Sequence, residues 1–296
     1  MGTVSKTVFI TGINSFTGKY LADYLRQKGY KVVGSSRAGG LRDVFGIDIA
    51  DKVGLTSVVN QVLPDYVIHL AAISFVGYEK NLDFYNINTI GTINLLEALN
   101  SLKKRPKKVI LASSAVVYGR QEKSVLDESL CPFPLNHYGS SKYAMETLAA
   151  NFYEDLPILQ VRPFNYTGTG QSENFLIPKI VKHFKEQKKK IELGNLDVVR
   201  EFNDISFVCE VYSRLLESDI DSTVVNICSG RGISLIDIID MMNMIAGYNI
   251  EVEVNQQFVR KNEIKKLVGS ADKLFKIIGR IEQVPFDETL KNMYKN

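Results

Sequence analysis

Tyr138 and Lys142 stand four residues apart in the run Tyr138-Gly139-Ser140-Ser141-Lys142. On a helix, a phenol and an ammonium at that spacing share one face. A nearby positive charge favours phenolate and draws a tyrosine pKa down from about 10 toward the working range. Such a tyrosine can exchange a proton at neutral pH. Upstream, Ser113 and Ser114 follow the apolar run Val109-Ile110-Leu111-Ala112. A hydroxyl at the carboxyl end of a central strand sits where open α/β sheets bind ligands, and it could hold the oxygen that Tyr138 protonates. A Tyr and a Lys at this spacing are common on helix surfaces, so the pair takes its meaning from its setting.

That setting is an alternation of strand and helix patterns. Residues 7–11, 31–35, 66–72 and 108–113 are short β-branched runs with helix-length segments between them, and 158–162 and 224–228 read as two more strands. Such alternation predicts an α/β protein with a doubly wound parallel sheet. The 109–112 run is apolar throughout, as a strand covered on both faces requires. Met145, Leu148, Ala149 and Phe152 continue an apolar helical face behind the dyad. Beyond Pro163 the pattern loosens, with glycines at 168, 170 and 194, a short helix over 235–245 and a helix start at Asp287-Glu288-Thr289-Leu290. The expected organisation is a dinucleotide-binding domain over 1–164, to which 203–230 returns, and a smaller α/β substrate lobe over 165–296.

After the first strand comes Thr11-Gly12-Ile13-Asn14-Ser15-Phe16-Thr17-Gly18, then a helical pattern ending near Gly29. A glycine turn leading into a helix aims backbone N–H groups and the positive helix end at a pyrophosphate. Ser15 occupies the middle position of the usual three glycines. The end of the second strand selects the cofactor. A site for NAD places an acid there for the ribose hydroxyls, whereas this chain has Ser35, Ser36 and Arg37. Arg37 can pair with a 2′-phosphate, so NADP(H) is favoured and NAD(H) remains possible, with Arg37 then a plain surface charge. Asp48, after what reads as one more short strand following the second, could take the adenine amino group.

Composition narrows the rest. With 36 Lys and Arg against 33 Asp and Glu, the net charge is +3. The basic runs (Lys103, Lys104, Arg105, Lys107, Lys108 and Lys185, Lys188, Lys189, Lys190) lack interleaved aromatics that could stack on bases, so they read as solvated helix ends rather than a nucleic-acid surface. No apolar stretch reaches the ~20 residues that span a bilayer and no signal-peptide layout precedes the first strand; the expected location is cytoplasmic. Cys131, Cys209 and Cys228 are odd in number and outside any zinc spacing, so neither disulfide nor metal is expected. His69 reads as a satisfied core residue, His183 as a surface one and His137 as a shaper of the loop before Tyr138.

In these residues and their order the chain resembles the extended short-chain dehydrogenases/reductases of the nucleotide-sugar branch over essentially its whole length. The matching elements are Thr11 to Gly18, His69-Leu70-Ala71-Ala72, Asn88 to Thr92, Ser113 to Gly119, Tyr138 to Lys142 and Arg162-Pro163-Phe164-Asn165. The resemblance implies a Rossmann-type sheet, a Ser114, Tyr138 and Lys142 triad, and Asn88 supporting Lys142 through a proton relay. It places Leu70, Ala71, Ala72, Ile49, Pro163 and Phe164 at the cofactor, the last two beside the nicotinamide. It also implies a nucleotide-diphosphate sugar as substrate and a homodimer built on helices 82–102 and 138–152.

Within that branch, 4,6-dehydratases carry acid/base residues just after the catalytic Ser or Thr, whereas this chain has Ala115 and Val116. A 4-epimerase keeps its NAD; Arg37 and the missing acid argue instead for exchangeable NADPH and net reduction. Residues 163–171, Gly194-Asn195-Leu196, Arg200 and 226–230 are similar to GDP-4-keto-6-deoxy-D-mannose reductases. That likeness implies substrate contacts from Ser74, Asn165, Lys179, Arg200 and Arg260, the arginines suited by their bidentate geometry. Departures at Val116, Ser206, Phe207, Lys261 and Arg280 bear on the nucleotide base. The expected activity is NADPH-dependent reduction of the C4 ketone of a nucleotide-linked 4-keto-6-deoxyhexose, GDP-linked by preference, in deoxysugar and surface-polysaccharide synthesis. The alternatives are an NAD-dependent 4-epimerase and a non-catalytic NADP(H)-sensing protein, against which the dyad speaks.

Overall fold

The computed structural model describes residues 5–40, 42–259 and 264–296. The apolar runs form strands in the expected order: β1 (Thr7–Thr11), β2 (Lys31–Ser36), β3 (Val44–Gly46), β4 (Tyr66–His69), β5 (Lys108–Ala112) and β6 (Ile158–Pro163). With the later strand Thr223–Ile227 they make one seven-stranded sheet, ordered Thr223–Ile227, β6, β5, β4, β1, β2, β3. The pairings from β3 across to β6 are parallel. This is a Rossmann-type sheet. Its order reverses between β1 and β4, so the carboxyl ends of those strands frame the crevice where such sheets bind ligands.

Helices α1 (Phe16–Gln27), α2 (Lys52–Val62), α3 (Asn81–Phe84), α4 (Gly91–Asn100) and α5 (His137–Ala149) cross over between the strands. Phe9, Val67, Val109 and Leu111 from the strands pack with Leu55, Val59, Leu95, Leu99, Met145 and Ala149 from α2, α4 and α5 in one buried cluster. Each fully buried apolar side chain of this size contributes roughly 1.5–3 kcal/mol, so α5, which carries the dyad, is anchored by its opposite face. Its first turn is fixed by Asn136, whose Oδ1 accepts from the Gly139 N–H at 2.8 Å.

Compact units divide differently from the chain order. One comprises the described residues through Gly119 with Cys131–Pro163 and Cys209–Val225; the other comprises Arg120–Leu130, Phe164–Val208 and Asn226–Asn296. In the second unit, Ile177, Phe184, Ile191, Leu193, Ile238, Met242 and Leu290 form a separate core. Its helices Leu176–Lys185, Leu235–Ala246 and Phe286–Lys295 flank small sheets. Ser234 and Asp237 cap the middle helix reciprocally. Arg120–Leu130 joins this unit by pairing Leu126 with the strand segment around Val268 and Gly269.

Several local expectations are corrected. β4 ends at His69, three residues early, because the chain turns out of the sheet once the Leu70 N–H has bonded the Thr11 carbonyl at 3.1 Å. The segment 82–102 is not one helix. α3 gives way to a π-helical turn over Tyr85–Ile90 before α4 begins, and a single widened turn leaves no trace in a 3.6-residue period. The dyad helix tightens to a 3₁₀ turn over Ala150–Phe152. Lys108 is buried, its Nζ donating to the Ile220 carbonyl at 2.5 Å, instead of being a solvated end. His183 is half-buried and its Nδ1 bonds the Lys179 carbonyl. The three cysteines form no disulfide. Among the described residues no helix is long and apolar enough to cross a membrane.

Candidate active site

The turn after β1 is shaped by what glycine lacks. Gly12 has φ +71° and lies so close to the next crossover that a Cβ would meet the Ala71 N at 2.8 Å. A Cβ on Gly18 would meet the Gly12 carbonyl oxygen at 2.4 Å, so only glycine lets α1 sit this close to the turn. Ser15 caps α1, its Oγ accepting from the Gly18 N–H at 3.0 Å. Phe16 and Thr17 begin the helix, and no carboxylate stands in that first turn to repel an anion.

Beside this turn lies a cavity of about 250 Å³. Its walls include Gly12, Ser15, Ser36, Arg37, Asp48, Ile49, Leu70, Ala71 and Ala72, all expected from the sequence. Asn14, Ser35, Ile47, Ile73 and Ile87 also line it; single apolar residues outside any periodic face carry no sequence signal for this. Asn14 Nδ2 donates to Ser36 Oγ at 2.8 Å and ties the turn to the end of β2. Arg37 is exposed and forms no ion pair with a described residue. Asp48 is half-buried, its Oδ1 accepting from the Ala50 N–H. Glycines that a Cβ would block, a helix start free of acids and a cavity ending in an arginine suit a nicotinamide dinucleotide.

On α5, Tyr138 and Lys142 are both buried, at 8% and 3% exposure. The Tyr138 ring packs on Phe84 with centroids 6.1 Å apart. Lys142 Nζ donates to the Ala112 carbonyl at 2.7 Å, so the last strand residue of β5 holds the ammonium. Burial lowers the Lys142 pKa to about 8, while the Glu146 carboxylate pulls the other way. Ser114 caps the short 3₁₀ turn Ala115–Tyr118, its Oγ accepting from the Val116 N–H at 3.2 Å. Its neighbour Ser113 has a buried hydroxyl with no partner among the described residues. Asn88, fully buried in the π turn, exchanges two hydrogen bonds with the Ile73 backbone and donates to Ser141 Oγ at 3.0 Å, one residue before Lys142.

Beneath the dyad lies a charge pair that sequence spacing could not disclose. Glu146, one turn past Lys142, accepts from Arg162 Nε at 2.9 Å and Nη2 at 2.6 Å, both side chains 5% exposed. Arg162 in turn stacks on the Tyr118 ring at 4.7 Å. Burial alone would lower the guanidinium pKa, but Glu146 outweighs it and holds it above its ordinary value.

Comparison with known proteins is decisive at the level of family. The family model described as GDP-mannose 4,6 dehydratase matches residues 9–293. The chain belongs to this family of extended short-chain dehydrogenases/reductases. It is 37% identical over 291 residues to the GDP-6-deoxy-D-talose 4-dehydrogenase of Aggregatibacter actinomycetemcomitans, covering 98% of this chain and 97% of that one. A candidate epimerase from Burkholderia cenocepacia J2315 superposes with a TM-score of 0.94 at 41% identity, covering 99% and 98% of the two chains. RMD from Pseudomonas aeruginosa, solved in complex with NADPH, gives 0.87 at 28% identity over 100% and 98%. The protein is therefore an oxidoreductase of the extended short-chain dehydrogenase/reductase family, and its cofactor is a nicotinamide dinucleotide.

Within this family member, the positions expected to meet the sugar nucleotide lie in both units. Ser74 is exposed in the irregular segment after β4. Pro163 closes β6. In the second unit Phe164 is buried against Gly269, and the Asn165 carbonyl accepts from the Asn203 N–H. Lys179 Nζ donates to the Glu192 carbonyl at 2.9 Å and lies 4.5 Å from the Phe258 ring centroid. Arg200 Nη1 donates to the Val199 and Lys265 carbonyls. Arg260 lies outside the described residues. Sequence reasoning missed Glu201, a fully buried carboxylate beside Arg200 that gathers the Ser229, Gly269 and Asn203 groups.

Proposed function

We propose that the protein reduces the C4 ketone of a GDP-linked 4-keto-6-deoxyhexose with NADPH. The observation that carries this reading is Arg37 at the end of β2, lining the cavity with Ser35 and Ser36 and facing no paired carboxylate. A 2′-phosphate finds a bidentate donor there, and Ser35, Ser36 and Arg37 leave no acid at the end of β2 for the ribose hydroxyls. The names of the relatives supply the class of sugar: a GDP-6-deoxy-D-talose 4-dehydrogenase shares 37% of its residues with this chain. The reduced nicotinamide supplies the hydride. Tyr138 gives its phenolic proton to the C4 oxygen, and Ser114 donates to the same oxygen and orients it. Lys142 holds a positive charge one helical turn away that favours the tyrosinate left behind, and Asn88 braces α5 through the Ser141 hydroxyl. Asn165, Lys179 and Arg200, with Arg260 and Ser74, receive the sugar nucleotide. Ala115 and Val116 offer no acid or base for dehydration.

Two outcomes follow for this site. Arg37→Ala should lower kcat/KM for NADPH by about 10- to 100-fold, one to two lost charge-assisted hydrogen bonds, and leave NADH kinetics nearly unchanged; equal losses with both cofactors would remove Arg37 from the 2′-phosphate. Because the ammonium of Lys142 is present below pH of about 8 and lost above it, kcat/KM for reduction should decline on the alkaline side with a midpoint near that value. Lys142→Arg should move that limb upward, since a guanidinium keeps its proton.

A second reading, a 4-epimerase that keeps its cofactor and returns the hydrogen to the same sugar, is favoured by the description of the Burkholderia structure. Incubation with NADPH and GDP-, dTDP-, UDP- and CDP-linked 4-keto-6-deoxy sugars separates the two. Reduction adds two hydrogens to the GDP-linked ketone; a 4-epimerase leaves that ketone, which has no C4 configuration, unreacted and with NAD inverts C4 of a GDP-linked hexose bearing a C4 hydroxyl at unchanged mass.

A further inference from the structure

Thr11 ends β1, His69 ends β4 and Thr92 lies in the first turn of α4; all three are buried. They form an unbroken run of hydrogen bonds. Thr11 Oγ1 lies 2.7 Å from His69 Nδ1, and His69 Nε2 lies 2.8 Å from Thr92 Oγ1. At one end the Ala71 N–H reaches Thr11 Oγ1 at 3.3 Å, and at the other Thr92 Oγ1 donates to the Asn88 carbonyl at 2.7 Å.

Counting hydrogens fixes the direction of every bond. Thr92 has one hydroxyl hydrogen. Its Oγ1 stands 2.7 Å from a carbonyl oxygen, a distance two oxygens keep only with a hydrogen between them. That hydrogen therefore serves Asn88, and Thr92 Oγ1 must accept from His69 Nε2–H. A neutral imidazole carries one N–H, so Nδ1 is bare and accepts the Thr11 hydroxyl hydrogen. Thr11 Oγ1 then uses a lone pair for the Ala71 N–H. Each group is used once and none is left over. The ring is neutral because burial, with the Lys142 charge adding to it, lowers its pKa to about 3.

We propose that His69 is a positioning residue, locked as the neutral Nε2–H tautomer, that joins the Ala71 amide on the cofactor cavity to the Asn88 carbonyl through one directional run of hydrogen bonds. Both ends matter to the site. Ala71 lies against Gly12, where a Cβ would meet its nitrogen at 2.8 Å. Asn88 clasps Ile73 and Ser141. One side chain thus sets the cavity wall and the brace of the dyad helix in register, a second layer of support for groups that must be held to fractions of an ångström.

The kinetic consequence rests on the reductase reading, whereas the state of the ring does not, and the experiment keeps them apart. Ring-¹⁵N NMR of the full chain, with the signals of His137 and His183 removed by His137→Gln and His183→Gln, isolates His69. The expected spectrum shows a protonated Nε2 and a bare Nδ1, unchanged from pH of about 5 to about 9. An Nδ1–H ring, or one that titrates in that range, overturns the proposal whatever the enzyme reduces. In NADPH-dependent turnover, Thr92→Val should lower kcat about tenfold, as for a group displaced by a fraction of an ångström, with KM for NADPH within about twofold, and Thr92→Ser should restore kcat. Wild-type kcat in Thr92→Val, or equal loss in Thr92→Ser, contradicts it.

Discussion

Replacing Tyr138 by phenylalanine should lower kcat by about 10²–10⁴-fold, the usual worth of a positioned general acid, while NADPH binding stays within about twofold of the parent. The substitution removes one oxygen and no ring atom, so the packing of the ring on Phe84 is retained. Lys142 keeps its bond to the Ala112 carbonyl, and the cavity by the glycine turn has no Tyr138 in its wall. Affinity and turnover should therefore separate cleanly. Fluorescence titration of NADPH beside steady-state rates checks this. Wild-type turnover in Tyr138→Phe would place the acid elsewhere; a lost cofactor site would make the tyrosine a binding group.

The second large effect concerns stability. Glu146→Gln should destabilise the fold by about 3–5 kcal/mol, because the Arg162 charge is left buried without its counter-ion. Arg162 Nη1 has no hydrogen-bond partner among the described residues, and the Tyr118 ring on which the guanidinium stacks carries no full charge to replace the carboxylate. The paired change Glu146→Leu with Arg162→Met should cost far less, within about 1–2 kcal/mol of the parent, since apolar groups of similar volume replace a buried ion pair at small net cost. Denaturant midpoints of the three proteins make the comparison. A single variant as stable as the parent would mean that water reaches the pair.

The contrast between these two sites shows what a sequence carries. Tyr138, Lys142 and the turn from Gly12 to Gly18 were legible because each is a local pattern: residues four apart on one helix, and glycines at a strand-to-helix junction. The parallel sheet follows from the alternation of strand and helix patterns. Glu146 and Arg162 are 16 residues apart, and only the β6–α5 packing brings them together. The run from Ala71 through His69 to Asn88 joins β1, β4 and α4, elements with no common period. His69 was read as a satisfied core histidine, and so it is, but which partners satisfy it is a fact of packing. The widened turn at Tyr85–Ile90 and the early end of β4 were hidden because a single irregular turn or a strand end leaves no mark in a hydrophobic period. The positions for the sugar nucleotide rest on family likeness, because surface arginines and lysines carry no periodic signal.

The direction of the reaction is the claim on which the account stands, and an isotope decides it. With NADPH deuterated at the transferred position of its nicotinamide, a GDP-linked 4-keto-6-deoxyhexose should yield a product three mass units heavier than the ketone, one deuterium at C4 and one solvent proton on oxygen, with one NADPH consumed per product. The ketone recovered unreacted with no NADPH consumed, while the enzyme with NAD inverts C4 of a GDP-linked hexose bearing a C4 hydroxyl at unchanged mass, would contradict the reductase and establish the epimerase.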